Sequence, residues 1–342
     1  MKYFHFLNGQ GKKSFVIWRW LAGASFALGA WGAWGASSLW AQSIAYPNKP
    51  ITLVLPYSTG GTVDNQARLL ASALTPRLGQ PVLVRNMPGG TGTIATEFVI
   101  HAAPDGYTLL FASSAQMTSV PMTEKVNYKL EDLATVSASG RGDMVLAINA
   151  EVPAKNITEF IAYAKANPGK ISYGSSGTGS VAHLVGALFG AKVGIDIVHI
   201  PYKGGGAVMQ DLLGGQIPMM FGNSGDVMGY VKNPRIKILA VSSAQRMKQI
   251  PEVPTVSEFY PNFELTAWQG TLAPAKTPKA IIDILSTAIQ DQSKDPRVIE
   301  TLTRLGVDSL TTTPEQMVAL IKSEQAGYLD AVKAAGFNRP SN

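Results

Sequence analysis

The sequence predicts an α/β protein built as two lobes, and three observations carry that prediction. From residue 50 onward, short apolar runs rich in β-branched residues alternate with stretches of helical periodicity, the pattern of a mostly parallel sheet covered by helices. Seven such runs, 51–55, 82–84, 107–111, 144–148, 197–200, 219–221 and 236–240, exceed what one small sheet holds. The chain has 342 residues, 46% of them hydrophobic and 15% charged, which is enough for two compact cores.

The chain opens with Lys2, Lys12, Lys13 and Arg19, continues with an uncharged run over 20–40 rich in Ala, Gly, Leu and Trp, and then reaches small residues around Ser37 and Ser38. This is the layout of a secretory signal, with cleavage expected near Ala41 or Ala45 and export to the periplasm. The alternative is an uncleaved anchor, since the apolar run is long enough to span a bilayer with some tilt. Lys and Arg number 29 against 23 Asp and Glu; the four bases named fall in the first 41 residues, which hold no acid, so the remainder carries 25 against 23. A near-neutral body has no basic stripe for phosphates, so no nucleic-acid partner is expected. Cysteine is absent, which excludes disulfides, a thiol nucleophile, Cys-based metal sites and a lipid-modified Cys.

Helical periodicity is clearest over 157–167, 181–193, 280–292 and 314–335, and the first of these stops at Pro168-Gly169. The extended stretches at 144–148 and 265–272 are candidates for paired crossings between lobes. On that reading 1–41 is the signal, 42–142 together with 265–342 forms a discontinuous first lobe, and 143–264 forms the second.

Two glycine-rich loops stand where a strand feeds a helix. The first is Tyr57-Ser58-Thr59-Gly60-Gly61, followed by Asp64 in the opening helical turn. Such a junction offers unpaired N–H groups at the positive end of the helix dipole, a seat for an anion; it is equally the form of a tight βα turn. The second, denser copy is Ser175-Ser176-Gly177-Thr178-Gly179-Ser180, whose hydroxyls and amides can wrap a carboxylate. A third cluster, residues 86–93, either shapes a turn, the leading reading, or lines the cleft with Gly92-Thr93 near the ligand. Ser113, with Ser114 and Gln116, ends another strand and could add donors. Tyr202 and Lys203 sit at the carboxyl end of a strand, where side chains reach ligands in open sheets, although core packing for Tyr202 and a solvated surface for Lys203 are the competing readings.

Other chemistries fit less well. His183 follows the serines, but the segment lacks the G-x-S-x-G elbow, so its expected role is packing or orienting the loop. The histidines have no metal-ligand spacing, and Gly177-x-Gly179-x-x-Ala182 is only a loose dinucleotide fingerprint. Without a nucleophile–base pair, neither an enzyme nor a cofactor or metal is expected; a dinucleotide-binding or hydrolytic enzyme and a ligand sensor for a signalling partner are the alternatives.

Taken together, residues 56–68, Pro88-Gly89-Gly90-Thr91-Gly92, residues 103–110, residues 173–184, and Pro201-Tyr202-Lys203-Gly204 with residues 211–216 resemble the Bug family of extracytoplasmic receptors for tripartite tricarboxylate transporters, over essentially the whole chain after the signal. The resemblance implies a periplasmic binding protein fold: two α/β lobes joined by two crossing strands, with a cleft that closes on ligand. It also implies that residues 57–62 and 175–180 hold a ligand carboxylate, with Asn223 at a further strand end. The implied partners are a small carboxylate and the membrane subunits of such a transporter, the receptor itself being a monomer. The chain departs from the family at Tyr57, Ser58, Thr59, Ala187, Gly206 and Gly222, which bears on the substrate rather than the fold.

Overall fold

The computed structural model describes residues 46–337; the expected signal and both cleavage points lie outside them. In order, the elements are β1 (Ile51–Leu55), α1 (Thr62–Leu78), β2 (Val82–Asn86), α2 (Thr93–Ile100), β3 (Thr108–Ser113), α3 (Ser114–Met117), α4 (Ser119–Thr123), β4 (Leu133–Asn149), α5 (Ile157–Lys165), β5 (Ile171–Ser175) and α6 (Val181–Val193). There follow β6 (Ile197–Pro201), α7 (Gly205–Leu213), β7 (Met219–Asn223), α8 (Ser224–Met228), β8 (Ile236–Val241), β9 (Thr266–Pro274), α9 (Lys279–Gln292), α10 (Pro296–Arg304), β10 (Val307–Asp308) and α11 (Pro314–Ala334).

The strands run in the order β2-β1-β3-β9-β4-β7-β5-β6, with β8 and β10 also pairing β4. β4 divides this array in two. Up to Asp143 it pairs with β9, and from Met144 it pairs with β7 on one side and β8 on the other. A second α/β lobe therefore hangs from the far half of one 17-residue strand. Each lobe keeps a parallel set, β2-β1-β3 and β7-β5-β6. The expectation of a mostly parallel sheet needs correction, because β4 and β9 run against their neighbours and against each other. Strands that cross between lobes must return, and a return made side by side is antiparallel.

Burial follows the pattern read from the runs. Ile51, Leu53 and Leu55 of β1 pack with Val63, Ala67, Leu70 and Leu74 of α1 and with Ile282, Leu285 and Ile289 of α9. In β4, Met144, Leu146 and Ile148 face a core shared with α5 and α6, while Val145 and Ala147 face one shared with α7 and α8. Buried on both faces, the strand reads as a continuous apolar run. Met317 and Ile321 of α11 pack in the core around Trp268 and β3, whereas Tyr328, Ala331 and Val332 pack in the core of α6. The last helix thus braces both lobes, which no lobe boundary drawn along the sequence expresses.

Candidate functional site

Every long helix that follows a parallel strand directs its N-terminus toward the carboxyl end of the sheet, which is where open α/β sheets build their crevices. Three of these starts, α1, α6 and α7, border a single cavity of about 330 Å³. The first loop contributes Tyr57, Ser58, Thr59, Gly60, Gly61 and Asp64 to its wall, β3 contributes Ser113, the second loop Ser176 and Ser180, and β7 Asn223. Ten of the expected residues are brought together.

The remaining four are turned elsewhere. Ser175 is fully buried beneath its loop, 2.6 Å from His199 Nε2, and its hydroxyl donates to Gly177 O while accepting from the Gly177 N–H. Thr178 offers its carbonyl to the Thr91 hydroxyl at 3.0 Å, and a Cβ on Gly177 would point at the same Thr91. Both therefore belong to a contact between halves, not to the cavity wall. Tyr202 donates to Asp211 Oδ2 at 2.7 Å; its half-buried ring packs against the core of α7 and is absent from the lining. Lys203 is exposed, as its solvated reading expects, and also lines the cavity together with Gly204, Gly205, Gly206 and Ala207.

The donors within these loops are unequally available. In the first loop the Gly60 N–H donates to Asp64 Oδ2 at 3.0 Å, and Thr62 donates through N–H and O–H to Asp226 Oδ1 at 3.1 and 2.7 Å. Burial would raise the Asp64 pKa, but Arg68 at 2.9 Å, Asn86 and the Gly60 N–H outweigh it and hold the carboxyl below its ordinary range. In the second loop the Gly179 N–H donates to His183 Nδ1 at 3.1 Å, and Ser180 caps α6 by accepting from the His183 N–H. At α7 no side chain caps the helix, and among the described residues the amides of Gly205, Gly206 and Ala207 have no hydrogen-bond partner. Gly204, at φ 142°, adopts a conformation open to glycine that brings this bare end to the wall.

Tyr57 Oη lies 2.6 Å from Ser113 Oγ and accepts from Gln116 Nε2, which also donates to Thr91 O. Burial pushes the Tyr57 phenol up, so it stays protonated and can donate. Beneath the second loop His183 and His199 stack with ring centroids 3.7 Å apart. Burial lowers both, His183 to about 3 with help from its neighbour and His199 to about 4, so both are neutral and His183 Nδ1 can accept. Sequence reasoning missed Asp226 altogether; its only signal was an acid three residues after Asn223 at a strand end. Burial raises its pKa against the opposing hydrogen bonds of Thr62 and Asn223. Among the described residues, no group of three His, Cys, Asp or Glu could hold a metal ion.

The family described as the tripartite tricarboxylate transporter family receptor matches residues 66–336. The protein BugT of Bordetella pertussis is 35% identical over 295 residues, covering 85% of this chain and 90% of BugT. The periplasmic binding protein BugD superposes with a TM-score of 0.81 at 33% identity, covering 86% of this chain and 99% of BugD. MatC from Rhodopseudomonas palustris, solved with bound malate, superposes with a TM-score of 0.79 at 27% identity, covering 84% of this chain and all (100%) of MatC.

Proposed function

The chain belongs to the receptor family of tripartite tricarboxylate transporters and is a periplasmic solute receptor of the Bug type, and from that premise we propose that it captures a small carboxylate and hands it to the membrane subunits of such a transporter. The observation that carries the proposal is the uncapped start of α7: three amides with no partner among the described residues border one cavity with Lys203, Ser58, Thr59, Ser176 and Ser180. Amides at a helix start and a lysine are matched to a carboxylate. Residues 42–142 with 265–342 and residues 143–264 then act as lobes that close over the ligand, the first 41 residues being a cleaved signal. The malate bound by MatC supports the carboxylate part of the reading.

The test is a thermal-shift screen of mono-, di- and tricarboxylates on protein lacking residues 1–41, because a ligand that binds only the folded form raises Tm. A carboxylate ligand is expected to stabilise the protein, and Lys203→Met to weaken it about 10- to 100-fold, the equivalent of one charge-assisted hydrogen bond. No shift with any carboxylate, or an unchanged affinity in Lys203→Met, would remove this site from the proposal.

A further inference from the structure

The cavity already holds a carboxylate of the chain, bonded at the start of α1 and adjacent, without a hydrogen bond, to the start of α7. Asp226 extends from α8, in the second lobe, to the start of α1, in the first. Its Oδ1 accepts from the Thr62 N–H at 3.1 Å and the Thr62 hydroxyl at 2.7 Å. Its Oδ2 lies 3.5 Å from Asn223 Nδ2 and so close to Gly205 that a Cβ there would collide with it. Both oxygens thus stand beside helix starts, α1 on one side and α7 on the other, and the side chain lines the same cavity. Among the described residues no cation lies within ion-pair distance of it, whereas Asp64 pairs with Arg68.

We propose that Asp226 is a tethered stand-in for the ligand carboxylate, which holds the lobes together through Thr62 and sets ligand affinity by competing for the seat. The inference rests on the carboxylate-receptor reading. Two carboxylates in one small cavity do not both stay ionised without strong repulsion, so an incoming carboxylate either turns Asp226 out or enters only when Asp226 carries a proton. A receptor whose competent state is only partly populated binds with an affinity reduced by that fraction, and removing the tether restores it. Among the described residues, Thr91 to Thr178, Ser224 to Gly306, Arg141 to Glu264, Gln249 to Thr303 and Ser242 to Leu265 also join the lobes; of these contacts, Thr62–Asp226 is the one whose two residues both line the cavity.

The absence of native cysteine makes a direct test simple. Spin labels on Leu83→Cys and Val198→Cys, at exposed positions of β2 and β6 (55% and 48% exposed), report the distance between lobes by electron–electron resonance. Without ligand, Asp226→Ala and Thr62→Val are expected to shift the distribution to longer distances than the labelled parent shows; unchanged distributions in both variants overturn the tether. Titration calorimetry with malate, succinate and citrate is the second arm. Asp226→Ala and Asp226→Asn should bind at least tenfold more tightly than the parent, including the case in which only the variants bind. Equal or weaker binding overturns the competition. If neither parent nor variants bind any of the three, the carboxylate reading fails and the competition with it, while the distance arm still decides the tether.

Discussion

At the residue scale, what matters is which polar groups are already spoken for. The hydroxyls and amides of the second loop looked like free donors in sequence, yet Ser175 donates to Gly177 O, Gly177 to Ser175 Oγ and Gly179 to His183 Nδ1. Away from the cavity, Glu324 shows the same economy of partners: it accepts from Trp268 Nε1 at 2.7 Å, and burial pushes it from 4.5 up to about 7 despite that bond. Between pH 4.5 and 7 the folded chain therefore keeps a proton that the unfolded chain has released. The stabilisation is fully present below pH 4.5 and is lost as pH rises through 7, at most about 3 kcal/mol for a shift of this size. Urea unfolding at pH 5 and pH 8 should show Glu324→Gln falling less in stability than the parent across that interval; an equal fall would place the proton elsewhere.

At the element scale, the start of α6 depends on a neutral imidazole. Gly179 turns its N–H onto His183 Nδ1, and a protonated ring could not accept it. Both stacked histidines have folded pKa values below 6.5, so they contribute stability that is present above pH 6.5 and lost as pH falls toward 4 and below. His183→Leu leaves the buried amide without an acceptor, at a cost of about 1–3 kcal/mol. His183→Asn keeps an acceptor near the same place and removes one proton site. Denaturation from pH 7 down to pH 4 should therefore show the Leu variant weakened throughout and the Asn variant less acid-sensitive than the parent. Identical behaviour of the two would mean that the ring only fills space.

At the scale of the whole molecule, the lobes are not independent bodies. β4 belongs to both sheets, and α11 packs Met317 in one core and Tyr328 in the other. Tyr328 is 1% exposed and donates to Thr266 O at 2.9 Å. Replacing it by Ala should cost about 3–5 kcal/mol, as for other large buried rings. Because the helix ties both cores, calorimetry of the parent should show one cooperative transition, and Tyr328→Ala should lower its Tm. Two separate transitions in the parent would contradict the brace.

The sequence by itself determined the local elements and the family. Helices such as Val181–Val193 and strands such as Ile51–Leu55 follow from periodicity and caps, and the glycine motifs were legible because a strand-to-helix turn needs particular residues at fixed spacing. It also located ten of the cavity's residues, since loops at strand ends converge in any open α/β sheet. Only the tertiary structure decided the rest. Residues 133–143, rich in Ser and Gly, form a strand because β9 pairs them, not because they favour one. Likewise, Lys203 lines the cavity while Tyr202 bonds to Asp211, and Asp226 reaches Thr62 across 164 positions of chain. A hydrogen bond forms between whatever groups the folded backbone brings within 3 Å, and separation along the chain carries no record of that distance.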